Sequence, residues 1–267
     1  MTEFTERTRI LPAQFDDGWV LEIDGEVQSH VDLNDPRLIR FEYLRRIGNV
    51  LDICWLPTRP IRILHLGAGA LTLARYVQAT RPGSEQTVIE LDPALIKLVT
   101  SELPLPVGTE LRVIAGDART KLQELDEPYF DAIIVDIFTG TDTATHLSDG
   151  DFYRETLARL SEQGVLLVNI GDEEGLQFVT QQARVLHQVA ISGGLSGVWT
   201  LADASTLGRR LAGNVVLAAG PGFPTAYDEE ATLRSQLAAA GPFPATVMAP
   251  AETASLMNVS ADDDKLS

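Results

Sequence analysis

Cysteines and long apolar runs are scarce in this chain of 267 residues, and each scarcity excludes a class of protein. The only cysteine is Cys54, so an internal disulfide framework and a metal site made of several thiolates are excluded. No apolar run approaches the ~20 residues that a membrane-spanning helix needs. The N-terminal segment MTEFTERTRI is charged and lacks the apolar core of a signal peptide. We therefore expect a cytoplasmic protein with no membrane partner, although a secreted protein can also lack cysteines.

Basic residues are also scarce, with 21 Lys and Arg against 38 Asp and Glu and a net charge of −17. Nucleic-acid binding needs a clustered basic surface, so this balance argues against a nucleic-acid partner. It is compatible with a cationic substrate drawn into an acidic cleft, but solubility alone explains many acidic proteins. With 45% hydrophobic residues, the chain can bury one large core and a small appendage.

From residue 61 onward, short apolar runs alternate with segments of helical periodicity. Five runs have the near-continuous apolar character of strands that are buried on both faces of a parallel sheet: IRILHLG, QTVIELD, ELRVIAGD, FDAIIVDIF and GVLLVNIGD. Two further apolar runs follow these five, GVWTLAD and GNVVLAAG. Only a loop lies between them, so we expect these two strands to pair antiparallel. The pattern predicts a doubly wound, mostly parallel α/β sheet with a final antiparallel strand, as in class I S-adenosylmethionine-dependent methyltransferases.

The segments on either side of this sheet complete the predicted organisation. WVLEIDGEVQSHVDL predicts a β-hairpin that turns at Asp24-Gly25, and an amphipathic helix follows it. We divide the chain into the hairpin with its linking helix (1–55), a Rossmann-like domain (56–248) and an acidic, disordered tail (249–267).

Gly67 and Gly69 stand where the first strand of this sheet gives way to a helix, in ILHLGAGALTLARYV. Glycines at such a turn let the backbone approach a ligand, and the helix N-terminus favours polar or anionic groups. The dinucleotide-binding fingerprint requires Gly or Ala at position 72, where this chain has Thr72. A tight turn with no ligand is the alternative interpretation.

Acidic residues end the next three strands, at the sheet edge where ligands of open α/β sheets bind. Glu90 is placed to accept both ribose hydroxyls of a nucleoside, whereas Asp92 is better explained as a helix cap before Pro93. Asp117, before Ala118, is either an acceptor for an adenine amino group or another cap. Asp136 is either a desolvated general base or a structural residue. The polar segment that follows could form a lid, and we interpret its His146 as a loop residue.

Taken together, these motifs resemble the spermidine synthase (polyamine aminopropyltransferase) family from about Trp19 to Gly220. The motifs that carry the resemblance are LEIDGEVQS, ILHLGAGALTLAR, VIELD, GDART and the run from YFDAIIVDIF to FYRETLARLSEQGVLLVN. The resemblance implies decarboxylated S-adenosylmethionine as donor, a diamine such as putrescine as acceptor and methylthioadenosine as product, with no further cofactor and no metal. It also implies a homodimer.

The resemblance further assigns a role to each matching position. Gly67 and Gly69 would line the donor, Glu90 would hold the ribose, and Asp117 with Ala118 would contact adenine. Asp136 would deprotonate the attacking amine, and Gln28 of the hairpin would lie near both substrates. These assignments are carried over in the order of the chain: Gln28, Gly67, Gly69, Glu90, Asp117, Ala118 and Asp136.

The amine half of the predicted site departs from the family pattern. Where the family has D-x-x-D-P, this chain has Thr139 for the second acid and Gly140 for the proline, and Asp142 is out of register. The family's amine-binding Tyr-His-Glu segment is represented only by Glu42 and Tyr43. Three other functions therefore stay open: an S-adenosylmethionine-dependent methyltransferase, a catalytically silent nucleoside-binding homologue and, less favoured, a dehydrogenase.

Overall fold

The computed structural model describes residues 7–126, 129–139 and 145–258, which form two β-sheets and the helices that cover them. The strands are β1 (Thr8–Pro12), β2 (Trp19–Ile23), β3 (Glu26–Val31), β4 (Arg62–Leu66), β5 (Glu85–Glu90), β6 (Glu110–Ala115), β7 (Phe130–Thr139), β8 (Leu160–Asp172), β9 (Trp199–Asp203), β10 (Gly213–Ala219) and β11 (Ala245–Met248). The helices are α1 (Glu42–Cys54), α2 (Thr72–Thr80), α3 (Pro93–Glu102), α4 (Ala118–Glu124), α5 (Gly150–Leu157), α6 (Gln177–Ser192), α7 (Ala204–Arg209), α8 (Tyr227–Ala240) and α9 (Pro250–Asn258). In these residues no helix is both long and apolar enough to span a bilayer.

The N-terminal sheet contains the predicted hairpin. β2 and β3 pair antiparallel, and the turn residues Asp24 and Gly25 have φ angles of +54° and +86°, as a two-residue type I′ turn requires. β1 adds a third antiparallel strand beside β2, which the sequence did not predict. Ser29 on β3 accepts a hydrogen bond from the backbone N–H of Ala70, so the small sheet is fixed to the glycine turn of the large one.

The large sheet has eight strands in the order β11-β9-β10-β8-β7-β4-β5-β6. β8, β7, β4, β5 and β6 pair parallel with one another in that order, and β10 runs antiparallel between β8 and β9. This arrangement confirms the predicted fold class. The short edge strand β11, antiparallel to β9, was not predicted. Because the central strands are parallel, the ends of β4, β5, β6 and β7 lie at one edge.

Side chains of the central strands alternate between two buried layers. On β4, Leu64 and Leu66 pack with α4, α5 and α6 on one face of the sheet. Ile63 packs on the opposite face with α1 and α2, and Ala132 and Ile134 of β7 lie on that same face. Burial of each large aliphatic side chain contributes about 1.5–3 kcal/mol, so the two layers hold the strand ends in fixed positions.

Two segments differ from the sequence-based expectation. The segment DFYRETLARLSEQG has helical periodicity over its whole length, but its helix ends at Leu157 because β7 and β8 already pair there, with the Phe130 N–H donating to the Arg159 carbonyl at 2.8 Å. In the tail predicted as disordered, residues 250–258 instead form α9, which buries Thr253 and Met257 against the sheet and α6. The rest of that tail (259–267) lies outside the described residues, and the predicted domain boundaries stay predictions.

Candidate active site

The glycine turn after β4 brings two strand ends very close together. Gly67 has φ +94°, and a Cβ atom placed there would lie 2.3 Å from the carbonyl oxygen of Asp136 on β7. Gly69 has φ +48°, and a Cβ atom there would lie 2.7 Å from Ser29 Oγ. Only glycine tolerates both the torsion and the crowding at these positions. The turn therefore presents the backbone of Gly67, Ala68 and Gly69 to the space beside the end of β7, whereas Ala70, Leu71 and Thr72 at the start of α2 are buried.

Glu90, the last residue of β5, lies against this turn. Its Oε2 atom accepts the N–H of Ala68 at 2.9 Å, and its Oε1 atom accepts the N–H of Asp92 at 2.9 Å. Each carboxylate oxygen has a second lone pair, so both can still accept from a hydroxyl group. Asp92 itself caps α3 through a 2.8 Å bond to the Ala94 N–H, which is the role predicted for it.

Asp117 is a helix cap, which is one of the two interpretations that the sequence left open, and its proposed contact with adenine stays a prediction. Its Oδ1 atom caps α4 by accepting the N–H and the hydroxyl of Thr120, both at 2.9 Å. Its Oδ2 atom is 2.8 Å from Nε2 of His146, a contact that the sequence did not predict. Partial burial acts to raise the pKa of Asp117, but the hydrogen bonds from His146 and Thr120 outweigh it and lower that pKa. Asp117 therefore carries a stable negative charge.

Asp136 on β7 is partly buried and is held by two side chains from distant parts of the chain. The Tyr43 hydroxyl on α1 donates to Oδ2 at 3.2 Å, and Asn169 Nδ2 on β8 donates to Oδ1 at 2.8 Å. Burial raises the pKa of Asp136 above its ordinary value, although the bonds from Asn169 and Tyr43 act in the opposite direction. Burial and the neighbouring carboxylate also raise the pKa of Tyr43, which keeps its phenol protonated as a donor. Asp136 thus has the properties of a tunable base.

Asn169 has a free acceptor next to this base. Its amide nitrogen is committed to Asp136, and its buried Oδ1 atom has no hydrogen-bond partner among the described residues. An unpaired buried acceptor is costly, so the site favours a ligand with a hydrogen-bond donor. The sequence analysis did not select Asn169. The available signal was a single polar residue near the end of the apolar run GVLLVNIGD.

These groups line one cleft of about 610 Å³ at the carboxyl edge of the parallel strands. The cleft contains all seven residues that the sequence nominated: Gln28, Gly67, Gly69, Glu90, Asp117, Ala118 and Asp136. It also contains Glu26, Asn169 and Asn214, which the sequence did not nominate, and Tyr43, which the sequence analysis named only as part of the altered amine-binding segment. Among the described residues that line it there are four carboxylates and no Lys, Arg or His side chain. The cleft is therefore a strongly anionic environment.

Some predicted features cannot be placed. Gly140 and Asp142 lie outside the described residues, as does most of the segment predicted to form a lid, and of Thr139 only the backbone, at the end of β7, is described. In the described ranges there is no cluster of three or more His, Cys, Asp or Glu side chains that could hold a metal ion.

The architecture defines an α/β protein of the class I methyltransferase type, with a cleft at the carboxyl edge of the sheet, where such folds bind ligands. No protein-family profile matches the chain. A polyamine aminopropyltransferase of Chromobacterium violaceum is 25% identical over 189 residues, which cover 68% of this chain and 71% of that protein. A solved structure of a probable spermidine synthase from Corynebacterium glutamicum is 26% identical, with a TM-score of 0.80 and coverage of 94% of this chain and 90% of that one.

A spermidine synthase solved in complex with the transition-state analogue AdoDATO has the same fold at 17% identity, with a TM-score of 0.58 over 83% of this chain and 72% of that one. The chain is thus similar in sequence to polyamine aminopropyltransferases, and similar in sequence and fold to a probable spermidine synthase. This relationship agrees with the resemblance drawn from the motifs. The roles of the individual site residues stay predictions.

Proposed function

We propose that this protein is an aminopropyltransferase, which moves an aminopropyl group from decarboxylated S-adenosylmethionine to the amine of a diamine or polyamine. The observation that carries the proposal is the cleft that combines the six other nominated residues with a partly buried, hydrogen-bonded carboxylate at Asp136. The proposal includes a cytoplasmic location and a homodimer, both as predictions from sequence and family resemblance.

Charge supports this choice of substrates. Both proposed substrates are cations, and the cleft wall has the carboxylates of Glu26, Glu90, Asp117 and Asp136 without a basic side chain among its described residues. A cleft of one charge sign attracts ligands of the opposite sign and raises their association rate. The donor's sulfonium and the acceptor's ammonium groups both match this field.

The chemistry requires a base and an aligned nucleophile. An alkyl ammonium group has a pKa near that of lysine, about 10.4, and it has no lone pair for attack while it is protonated. In the proposed step Asp136 accepts one proton from the ammonium, and the amine nitrogen attacks the aminopropyl carbon bonded to sulfur. The C–S bond breaks with its electrons on sulfur, and methylthioadenosine leaves as a neutral thioether. The product amine keeps the positive charge, and Asp136 returns its proton to solvent.

Tyr43 and Asn169 position the base and the nucleophile in this scheme. Both donate to Asp136 and so fix the plane of its carboxylate. The unpaired Oδ1 of Asn169 accepts a second N–H of the attacking amine. Two acceptors on neighbouring strands would orient the nitrogen lone pair toward the sulfonium carbon, and such orientation is a large part of catalysis in bimolecular transfers.

A methyltransferase that uses intact S-adenosylmethionine is less well supported. Intact S-adenosylmethionine carries a carboxylate that needs a donor, and the described cleft wall offers no Lys, Arg or His for it, only uncharged donors such as backbone N–H, amide and hydroxyl groups, next to four like charges. Glu90 already occupies one of those groups, the Ala68 N–H. Repulsion between like charges therefore favours the decarboxylated donor.

A catalytically silent nucleoside-binding homologue is the remaining alternative. One specific observation favours it: Tyr43 and Asn169 already occupy both oxygens of Asp136. A carboxylate accepts about four hydrogen bonds, so a lone pair for the amine proton is still available on each oxygen. This geometry is compatible with catalysis but does not require it.

The experiment is a direct assay of methylthioadenosine release. The protein is incubated with decarboxylated S-adenosylmethionine and, separately, putrescine, spermidine or a monoamine, and both products are measured by mass spectrometry. Thermal-shift titration with decarboxylated S-adenosylmethionine, methylthioadenosine, S-adenosylmethionine and NAD is run in parallel, since a ligand at 100 times its Kd stabilises by about 2.7 kcal/mol. We expect coupled release of methylthioadenosine and an aminopropylated amine. Nucleoside binding without any transfer would establish the silent homologue, and stabilisation by NAD alone would exclude both.

A further inference from the structure

A small chamber of about 30 Å³ lies beside the cleft, on the side of the glycine turn that faces α1 and α2. Its polar side chains come from four residues: Ser29, His65, Thr72 and Asp136. The chamber shares Ser29 and Asp136 with the main cleft, so it is an extension of the proposed active site. A volume of about 10–15 Å³ already suffices for one water molecule if it finds two to four polar partners.

His65 has a fixed orientation and a fixed proton in this chamber. The Gln86 amide nitrogen donates to the carbonyl of Ala74 at 3.0 Å, which directs the Gln86 Oε1 atom toward the imidazole. His65 Nε2 lies 3.1 Å from that oxygen, which can only accept, so Nε2 carries the proton. Burial lowers the pKa of His65 to about 4, so the ring is neutral at physiological pH. Its Nδ1 atom is therefore a hydrogen-bond acceptor.

The sheet register places His65 and Asp136 on the same side. His65 on β4 is paired with Ile134 on β7, and Asp136 is two residues beyond Ile134. Residues two apart on a strand point to the same face, and both side chains line the chamber. The chamber thus lies between two acceptors, a neutral imidazole nitrogen and a carboxylate. Direct hydrogen bonding between two acceptors is impossible, so a molecule that donates twice is needed.

The other two polar groups determine which molecule fits. The Thr72 hydroxyl donates its proton to the carbonyl of His30 at 3.0 Å. Ser29 Oγ accepts the N–H of Ala70 at 3.2 Å, and its own hydroxyl proton stays available. A guest that donates to His65 and Asp136 and accepts from Ser29 matches all three groups. Water has this combination of donors and acceptor.

We propose that the chamber is a water site and that His65 is a positioning residue for Asp136: one water donates to His65 Nδ1 and to the Asp136 carboxylate, and accepts from Ser29. The role in catalysis rests on the proposed function, whereas the water site does not. No proton has to pass through the chamber. The water acts by stabilising the ionised form of Asp136, which is the form that can remove a proton from an amine.

Several groups besides this water act on Asp136. Tyr43 from α1 and Asn169 from β8 donate to the carboxylate and favour its charge. The carboxylates of Glu26, Glu90 and Asp117 share the cleft and disfavour it. The water is therefore a third hydrogen-bond donor to Asp136. It stabilises the ionised carboxylate, whereas burial and the neighbouring negative charges destabilise it. Removal of the water should therefore raise the pKa of Asp136. The two donors and the three carboxylates named above are unchanged in the variants described below.

The test measures the titration of Asp136 directly, without substrate. Protein labelled with ¹³C at the aspartate carboxyl carbon is titrated by NMR, and the Asp136 resonance is identified by its loss in Asp136→Asn. His65→Leu removes the Nδ1 acceptor but leaves Gln86 unpaired, so His65→Leu/Gln86→Leu is the second variant, in which both buried polar partners become apolar. The matched control is His187→Leu, which removes a histidine with a buried, unpartnered Nδ1 on α6.

We expect the pKa of Asp136 to rise by about one pH unit or more in the double variant and in any folded single variant, and to stay unchanged in the control. A crystal structure of the unmodified protein should show one water within hydrogen-bond distance of His65 Nδ1 and Asp136. The inference would be overturned if Asp136 had the same pKa in the double variant and in the unmodified protein. It would also be overturned if the crystal structure showed the chamber filled by protein side chains. If the titration shifts but no amine yields methylthioadenosine, the proposed function fails and the water site stands.

Discussion

The nucleoside half and the amine half of the cleft are held together by different kinds of contact. In the nucleoside half, Asp117 accepts from Thr120, three residues away, and Glu90 accepts from Asp92, two residues away. In the amine half, Asp136 is bonded to Tyr43 and Asn169, which are 93 and 33 residues distant along the chain. Each carboxylate of the nucleoside half thus has one partner in its own loop besides a distant one, Ala68 for Glu90 and His146 for Asp117, whereas Asp136 depends wholly on α1 and β8 being in place.

The two halves also differ in charge behaviour. Hydrogen bonds lower the pKa of Asp117, so this residue stays ionised over the working range of pH. Burial raises the pKa of Asp136, so this residue is the acid in the cleft whose charge responds to its surroundings. A binding carboxylate benefits from a constant charge, whereas a base has to gain and lose a proton. The difference predicts that variants in the two halves affect different measured quantities.

The largest expected effect comes from Asp136→Asn, which removes the proposed base and keeps the side chain's size. We expect turnover to fall by about 10²–10⁴-fold, which is the usual contribution of a general base. Nucleoside affinity should stay within about tenfold, because Asp136 lies in the amine half. Turnover is measured as methylthioadenosine release, and affinity is measured by calorimetry with methylthioadenosine.

Asp92→Asn is the matched control for that substitution. Asp92 lies near the same sheet edge but caps α3, and asparagine caps a helix about as well as aspartate. Turnover should therefore be unchanged in the control. If Asp136→Asn kept full turnover, the assignment of the base would be wrong, and with it the separation of the cleft into a binding half and a reacting half.

This contrast explains which parts of the site could be predicted from sequence. An apolar strand that is followed by a glycine such as Gly67 or ends in an acid such as Glu90 can be recognised from a short stretch of sequence. A parallel sheet brings the ends of such strands to one edge regardless of the details of packing. The fold class, the hairpin turn and the glycines and acids at the strand ends follow from such patterns, whereas Gln28 and Ala118 were nominated by the family resemblance. Tyr43 and Asn169 could not be assigned in this way, because their function depends on contacts between elements that are far apart in the chain.

The next largest effect is expected from Glu90→Gln. The change keeps one acceptor oxygen but removes the charge that would bind two ribose hydroxyls and that holds the N–H groups of Ala68 and Asp92. Hydrogen bonds to a charged group contribute about 1.5–3 kcal/mol, so we expect affinity for methylthioadenosine to fall by about 10–100-fold. Calorimetry should show this loss, while turnover at saturating donor should change much less. A variant that binds methylthioadenosine as tightly as the unmodified protein would show that Glu90 only supports the turn.

Residues missed by sequence reasoning share a physical cause. β11 is a short edge strand whose pairing with β9 is the main local stabilisation available to it, and β1 likewise forms only beside β2. α9 was predicted as tail because its residues are small and polar, yet Met257 and Thr253 are buried in the assembled protein. The secondary structure of these three segments is determined by tertiary packing, which no local sequence pattern predicts.

A smaller effect should separate the two roles of Asp117. Serine is also a good helix cap, so Asp117→Ser should leave α4 stable while its shorter side chain no longer reaches an adenine amino group. We expect affinity for methylthioadenosine to fall by about tenfold, and affinity for methylthioinosine, which lacks that amino group, to stay nearly constant. Both affinities are measured by calorimetry, with thermal unfolding as the check on α4. Equal losses for the two nucleosides would mean that Asp117 acts only through the helix or through His146.

The smallest effect, a shift of pH dependence, is expected from Tyr43→Phe. Asp136 must be ionised to act as a base, and its pKa lies above 3.8, so turnover should fall as the pH falls through that raised pKa. The Tyr43 hydroxyl stabilises the ionised form, and its removal should raise the pKa of Asp136 further and move the acidic limb of kcat to higher pH by up to about one unit. Above that limb, kcat should be nearly unchanged.

The control is Tyr153→Phe, which removes a buried hydroxyl outside the cleft. That hydroxyl donates a 2.7 Å hydrogen bond to Gln182, and its loss should leave the acidic limb in place. Superimposable profiles for Tyr43→Phe and the unmodified protein would show that α1 does not tune the base, and the amine half would then depend on β7 and β8 alone.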